Sequence, residues 1–288
     1  MIGRVSTFSQ TLYVLDRSLT SQAKLADVQA QTASGLKSGA FGGYGSATSA
    51  ISRHEADVAA ADVEAANATR ALNVVEQAYS ALGSISDLSQ TILTSLSTYG
   101  EEVDTLASLA EGWLSDLQSL LNTQYAGQSL FAGDALEAEA VDLAAWDADD
   151  AGAYYQGSAT ARAYRTADGS SLALSVTAAD PALSGLIDTL KGLADQSLTS
   201  SQALDAVQTA SSGIGVLRTN LSSSADRLER IVEQATAKST SLSSVVATLK
   251  ETDLAEAAIL ATQYETLLQT SYSTLNILMS VKLSDYLR

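Results

Sequence analysis

Few residues in this sequence could do chemistry. The single histidine, His54, has no serine or aspartate at a spacing that would build a nucleophile–base–orienter set, and it reads as a packed or half-exposed side chain. There is no cysteine, so thiol catalysis, disulfides and cysteine-based zinc sites are excluded, and one histidine cannot form a multi-histidine metal site. The run Asp147-Ala-Asp149-Asp150-Ala-Gly152 places carboxylates at positions 1 and 3 and glycine at position 6 of an EF-hand-like loop. Position 5 is Ala151 and position 12 is Ser158, where a bidentate glutamate would supply most of the ligand strength, so the run reads as solvated acidic surface. Ser34–Ala47 carries five glycines in fourteen residues but lacks the Gly-Lys-Ser/Thr ending of a phosphate loop, and it reads as a flexible structural loop. Trp113 and Trp146 read as packing residues. No catalytic, cofactor-binding or metal-ligating residue is expected, and no enzyme.

Charge points the same way. The 288 residues hold 16 Lys and Arg against 33 Asp and Glu, a net charge of -17, which argues against binding a nucleic-acid backbone. Residues 71–161 hold 14 acids and no Lys or Arg, so most of the excess lies in the middle of the chain. No run of eighteen apolar residues suggests a membrane span, and the first residues show no signal-peptide core. From composition alone the compartment reads as cytoplasmic.

What must position these residues is a set of long helices. Val5, Leu12, Leu19, Ala26 and Ala33 recur every seven residues, with Phe8 and Leu15 on the paired position, over a helix expected at about 5–34. A second seam runs through Ile51, Val58, Ala65, Leu72 and Tyr79, with Ala61, Ala68, Val75 and Leu82 beside it, and Ile85, Leu88, Ile92 and Leu96 continue it with a slip in phase, over about 47–97. Thr98-Tyr99-Gly100-Glu101 has the form of a capping box opening a further helix over about 101–126. The strictest seam is Val207, Ile214, Leu221, Leu228, Ala235, Leu242 and Leu249, partnered by Leu217, Ile231 and Val245 and interrupted by Ser224 and Lys238. Leu254, Ala261, Leu268 and Leu275 continue the habit over 251–283.

Residues 128–180 differ. They alternate, carry aromatic residues, and place Asp168-Gly169 between two runs, which is a hairpin signal. The expected fold is mainly α: an antiparallel long-helix coiled-coil rod with paired N- and C-terminal helices and a small β insertion. Its expected parts are an assembly helix and Gly-rich turn (1–46), an outgoing arm (47–127), a small β-rich outer domain (128–180), a returning arm (181–250) and a C-terminal assembly helix (251–288). Ile51, Val58, Leu72, Val75, Leu82, Ile214, Leu221, Leu228, Leu242 and Leu249 are expected to form the rod core. Val5, Phe8, Leu12, Leu15, Leu19, Leu254, Ala261, Leu268 and Leu275 are expected to form an assembly seam completed by other subunits, because an isolated helix pair is marginal.

Three stretches carry a resemblance. Glu251–Arg288, with Asp253, Ala255, Glu256, Gln263, Leu268-Gln269 and the Asp285-Tyr286-Leu287 ending, is similar to the C-terminal helix of the flagellin superfamily. Gln29–Gly39 resembles its Gln-x-Gln-x-Ser-Ser-Gly turn, although Ala40–Ala50 lacks the aspartate pair that usually follows. Leu120–Asp134, followed by Tyr154-Tyr155-Gln156-Gly157-Ser158, resembles the passage into the β domain in the hook–filament junction branch of that superfamily. The resemblance implies a structural flagellar subunit joining hook to filament, without cofactors. It implies export through the flagellar type III channel with no cleaved signal peptide, which would place the protein outside the cell. Its partners would be itself, the neighbouring hook-associated protein and flagellin, and an export chaperone, with no nucleic acid and no membrane insertion. A filament flagellin subunit, or a cytoplasmic coiled-coil interaction module, are the alternatives.

Overall fold

The structure, a computed structural model, describes residues 2–100, 102–147, 152–166 and 169–286, with side chains in the terminal helices from residue 9 to residue 279. The chain is mainly α, with a small β insertion. Six helices carry it: α1 (Ile2–Ser34), α2 (Thr48–Tyr99), α3 (Val103–Leu121), α4 (Pro181–Ala194), α5 (Ser200–Lys250) and α6 (Leu254–Tyr286). Between α3 and α4 lie two antiparallel hairpins, β1 (Gln124–Tyr125) with β2 (Gln128–Ser129), and β3 (Ala163–Arg165) with β4 (Ser171–Ala173).

Serine and threonine are indifferent helix formers because their hydroxyls compete for backbone partners. Here the competition is resolved inside the helix. The hydroxyls of Thr262, Thr266, Thr270 and Thr274 each donate to the carbonyl four residues earlier along α6, at 2.9–3.0 Å. Thr98 does the same within α2, donating to the Thr94 carbonyl at 2.8 Å. That use of its hydroxyl overturns the expected capping box. α2 runs on to Tyr99, and the next helix starts at Val103 with Glu102 at its N-cap and no side-chain cap bond. Glu101 lies outside the described residues. That helix ends at Leu121, short of the expected 126, where a tight hairpin takes over.

Other boundaries have clear causes. Asp180 accepts from the Ala182 amide at 3.0 Å and Pro181 opens α4, where its missing N–H costs nothing. Asp253 caps α6 by accepting from the amides of Ala255 and Glu256 at 2.9 and 3.2 Å. α1 stops at Gly35, whose φ of 71° is the left-handed C-terminal conformation that glycine adopts freely.

The chain divides into two compact units, Met1–Ala60 with Lys238–Arg288, and Ala61–Ala237. In the second unit α2 and α5 run antiparallel. The Arg218 guanidinium lies 4.5 Å from the Tyr79 ring centroid, and Ser200 donates to the Gly100 carbonyl at 2.8 Å. Val75, Leu82, Ile214, Leu221 and Leu228 are fully buried there, and Leu72 is half-buried. α3, α4 and the insertion share this core through Leu117, Phe131, Tyr154 and Leu186.

The seams hold their strict phase for part of their length. On α2, Tyr79 is exposed and the slip in phase comes earlier than expected, with Ala71 and Ala78 already inward ahead of Ile85 and Ile92. On α5, Lys238 and Val245 point outward, and Ser239 and Val246 replace them. A straight helix drifts about 20° per heptad against a 3.5-residue repeat, which moves the seam by a residue over several heptads.

The insertion is held by side-chain bonds more than by strands. Asn122 donates to the Val141 carbonyl at 2.8 Å and accepts from its amide at 2.9 Å. Tyr154 donates to the Ala178 carbonyl at 3.2 Å. Gly133, with a φ of 63°, sits where a Cβ would collide with the carbonyl oxygens of Ser158 and Thr160. The expected hairpin forms, but its turn spans Thr166 to Ser170, and Asp168 lies outside the described residues.

In the first unit α1 and α6 pair antiparallel. The Gly-rich segment, expected as a flexible loop, is bonded in place. Leu36 bridges Glu251, Lys37 donates its amide to the Lys250 carbonyl at 2.8 Å, and Thr252 donates to the Gly35 carbonyl at 2.9 Å. A short 3-10 helix, Phe41–Ala47, follows, with the Tyr44 hydroxyl on the Ser38 carbonyl at 2.6 Å. Lys250 pairs with Glu55 across the same unit. Ile51 is fully buried here, while Val58, Leu242 and Leu249 are half-buried.

Candidate assembly surface

Each terminal helix has two stripes. The inward stripe of α1 is Thr11, Val14, Ser18, Ser21, Leu25 and Val28, in strict 3–4 spacing. Facing it on α6 are Ala257, Ala261, Tyr264, Leu268, Ser271 and Leu275, in the same spacing. The Lys24 ammonium, 5.9 Å from the Tyr264 ring centroid, marks the register. This inner seam mixes small and polar residues with Val14, Leu25, Val28, Leu268 and Leu275.

Further large apolar residues lie on the other side. Leu12, Tyr13, Leu15 and Leu19 are exposed on α1. Leu254, Ile259, Leu267, Tyr272, Ile277 and Met279 are exposed on α6. Ile259 and Leu267, with Thr262, Gln263 and Thr266, line a groove of about 570 Å³. An ordinary soluble helix pair buries its large residues and exposes its small ones. This pair covers Leu25, Val28, Leu268 and Leu275 between its helices and yet leaves Leu12, Leu15, Leu19, Ile259 and Leu267 exposed as well, and exposed apolar surface of this kind suits a partner.

The expected seam residues therefore fall into two sets. Leu12, Leu15, Leu19 and Leu254 face outward. Ala261, Leu268 and Leu275 face α1 and are covered within the chain. Val5 and Phe8 lie outside the described side chains. The expectation that the terminal seam is completed mainly by other subunits does not hold for those three, because the facing stripe of α1 already covers them. Tyr13, Ile259, Leu267, Tyr272, Ile277 and Met279 escaped the sequence reading. Their signal was a second apolar series on helices already assigned a seam.

The residues weighed for chemistry sit apart from one another. His54 is half-buried with Nδ1 unpartnered. Trp113 is buried in the core, and the Trp146 indole donates to Asp188 at 3.1 Å with the Lys191 ammonium 5.4 Å from its ring. Among the described residues no group of three potential metal ligands converges, and no helix is long and apolar enough to cross a membrane. Asp149 and Asp150 lie outside the described residues. Tyr154 has its hydroxyl pushed up to about 12, first by burial and then by the nearby Asp188 charge. That marks a packed hydrogen-bond donor.

Residues 204–287, covering most of α5 and all of α6, match the family model for the bacterial flagellin C-terminal helical region. Among solved structures, FlgL of Bacillus cereus aligns with a TM-score of 0.47 and 20% identity, over 68% of this chain and 98% of its own. A protein of Vibrio parahaemolyticus assigned as flagellar hook-associated aligns with a TM-score of 0.41 and 15% identity, over 78% of this chain and 96% of its own. No curated protein matches the sequence.

Proposed function

We propose that this chain is a structural subunit of the bacterial flagellum, assembled at the junction of hook and filament through its terminal helices. The observation that carries the reading is the second, outward stripe of the α1–α6 pair, where Leu12, Leu15, Leu19, Ile259 and Leu267 are exposed. Such a pair is poorly stabilised alone and gains most when other helices cover it. The match of residues 204–287 to a flagellin region supports assembly of the flagellar kind. The partners are further copies, the neighbouring hook-associated protein and flagellin, after export with a chaperone and without a cleaved signal peptide. The work is mechanical and needs no cofactor.

A deletion strain tests this. Hooks should form while filament subunits leak into the medium, and the protein should localise to the hook–filament boundary of sheared flagella. The filament-subunit reading draws on the same flagellin match, and it prevails if the protein is found along the whole filament. Retention in the cytoplasm with normal flagella refutes both.

A further inference from the structure

Two clefts flank the β3–β4 hairpin in the second unit, of about 420 and 610 Å³. One takes Arg227 and Arg230 from adjacent turns of α5, and the other takes Arg70 from α2 with Arg162 and Arg165 from the hairpin. Five of the chain's 16 basic residues thus gather around one hairpin of a protein with net charge -17. Among the described lining residues Glu64 is the one carboxylate. Arg70 and Arg162 each give one donor to a neutral amide oxygen, Asn67 Oδ1 and Gln128 Oε1, both at 2.9 Å. Their remaining guanidinium donors suit carboxylates in the paired geometry that arginine favours.

The complementary surface is on the same chain. Among the described residues, no acid of residues 71–161 lines either cleft. Glu111 of α3 and Glu139 of the insertion share a separate groove, with Asp134 and Glu137 exposed nearby in sequence. We propose that the arginine clefts receive the acidic face around Glu111, Glu137 and Glu139 of a second copy, in a head-to-tail contact. A contact between two different patches propagates along an array, as a structural subunit requires. A free polyanion would meet the long-range repulsion of the whole molecule. A copy already held by its terminal helices is at high local concentration and overcomes it, so the inference rests on the assembly reading above.

The test is sedimentation of the full-length chain at about 0.05 M and about 0.5 M salt, which brackets strong and weak screening. Wild-type association should weaken with salt. Arg70→Glu, Arg162→Glu and Arg165→Glu together should weaken it about tenfold or more at low salt, as should Glu111→Arg, Glu137→Arg and Glu139→Arg, and mixing the two variants should restore it. These positions are exposed or half-exposed, and melting curves confirm that each variant folds. A monomeric wild type at both salts, unchanged association of either variant, or no recovery on mixing overturns the proposal. So does a cleft variant that loses binding to heparin, as an anionic polysaccharide probe, while self-association stays intact. Apolar contacts strengthen with excluded salts such as sulfate. A failure of the terminal-helix surface would therefore appear separately, as Leu12→Asp and Leu267→Asp leaving sulfate-driven association unchanged.

Discussion

Leu267 and Leu268 are chain neighbours on α6 with opposite environments, 53% and 8% exposed respectively. A helix turns about 100° per residue, so one side chain faces outward while the other packs on α1. This step separates the surface that stabilises the folded chain from the surface proposed to recruit others.

Leu268→Asp should therefore lower the stability of the first unit by about 2–5 kcal/mol, since it places a carboxylate in a covered seam. Leu267→Asp should leave the monomer's melting temperature unchanged and abolish incorporation into flagella. Circular dichroism melts and a motility assay check both. Equal melting curves for the two variants would show that the inner stripe is misassigned.

A second pair tests the phase of α5. Leu228 is fully buried and Val245 is 41% exposed, although both belong to the apolar series of the sequence. Leu228→Asp should cost about 2–5 kcal/mol or prevent folding of the second unit. Val245→Asp should stay within about 0.5 kcal/mol of wild type. Denaturant unfolding measures both, and a large loss from Val245→Asp would restore the unbroken heptad.

Those residues also show what the sequence could reveal. Ile51, Val75, Leu82, Ile214, Leu221 and Leu228 are buried, large and regularly spaced, so periodicity alone locates them. On the inner seam of the terminal helices, Ala261, Leu268 and Leu275 of α6 are legible in that way, and the facing stripe of α1 is not. Thr11, Ser18 and Ser21 on α1 and Ser271 on α6 carry no apolar signal, and only the paired structure shows that they face inward. The arginine clefts were hidden for another reason. Arg70, Arg162, Arg165, Arg227 and Arg230 come from three distant segments, and charge counts along the chain cannot bring them together.

Gly133→Ala should destabilise the insertion and the core it shares with α3 and α4. The position combines a φ of 63° with two backbone carbonyls where the new methyl would go, and backbone cannot swing aside as a side chain can. A cost of about 2 kcal/mol or more is expected, because left-handed strain adds to the clash. Hydrogen exchange should show faster opening of the Leu130 and Ala178 amides, which donate to the Thr123 and Phe131 carbonyls. Wild-type protection there would mean that the loop relaxes freely.

The last prediction concerns alkaline pH. Tyr154 has its hydroxyl raised from 10.0 to about 12 by burial, then by the Asp188 charge, partly offset by a bond with Ser184. The protonated form is favoured by folding, so its contribution is complete below the unfolded value near 10 and is lost as pH rises through the folded value near 12. At pH 7–8 the Tyr154→Phe variant should be less stable than wild type by about 1 kcal/mol, because it loses the bond to the Ala178 carbonyl. Above pH 10 the wild type should weaken further from this group and the variant should not. The gap between their melting temperatures should then close and can reverse. Arginine, lysine and the other tyrosines titrate in both proteins, so the difference between the two curves isolates Tyr154. A constant gap from pH 8 to pH 11 would show that Tyr154 titrates in the folded chain as it does in the unfolded one.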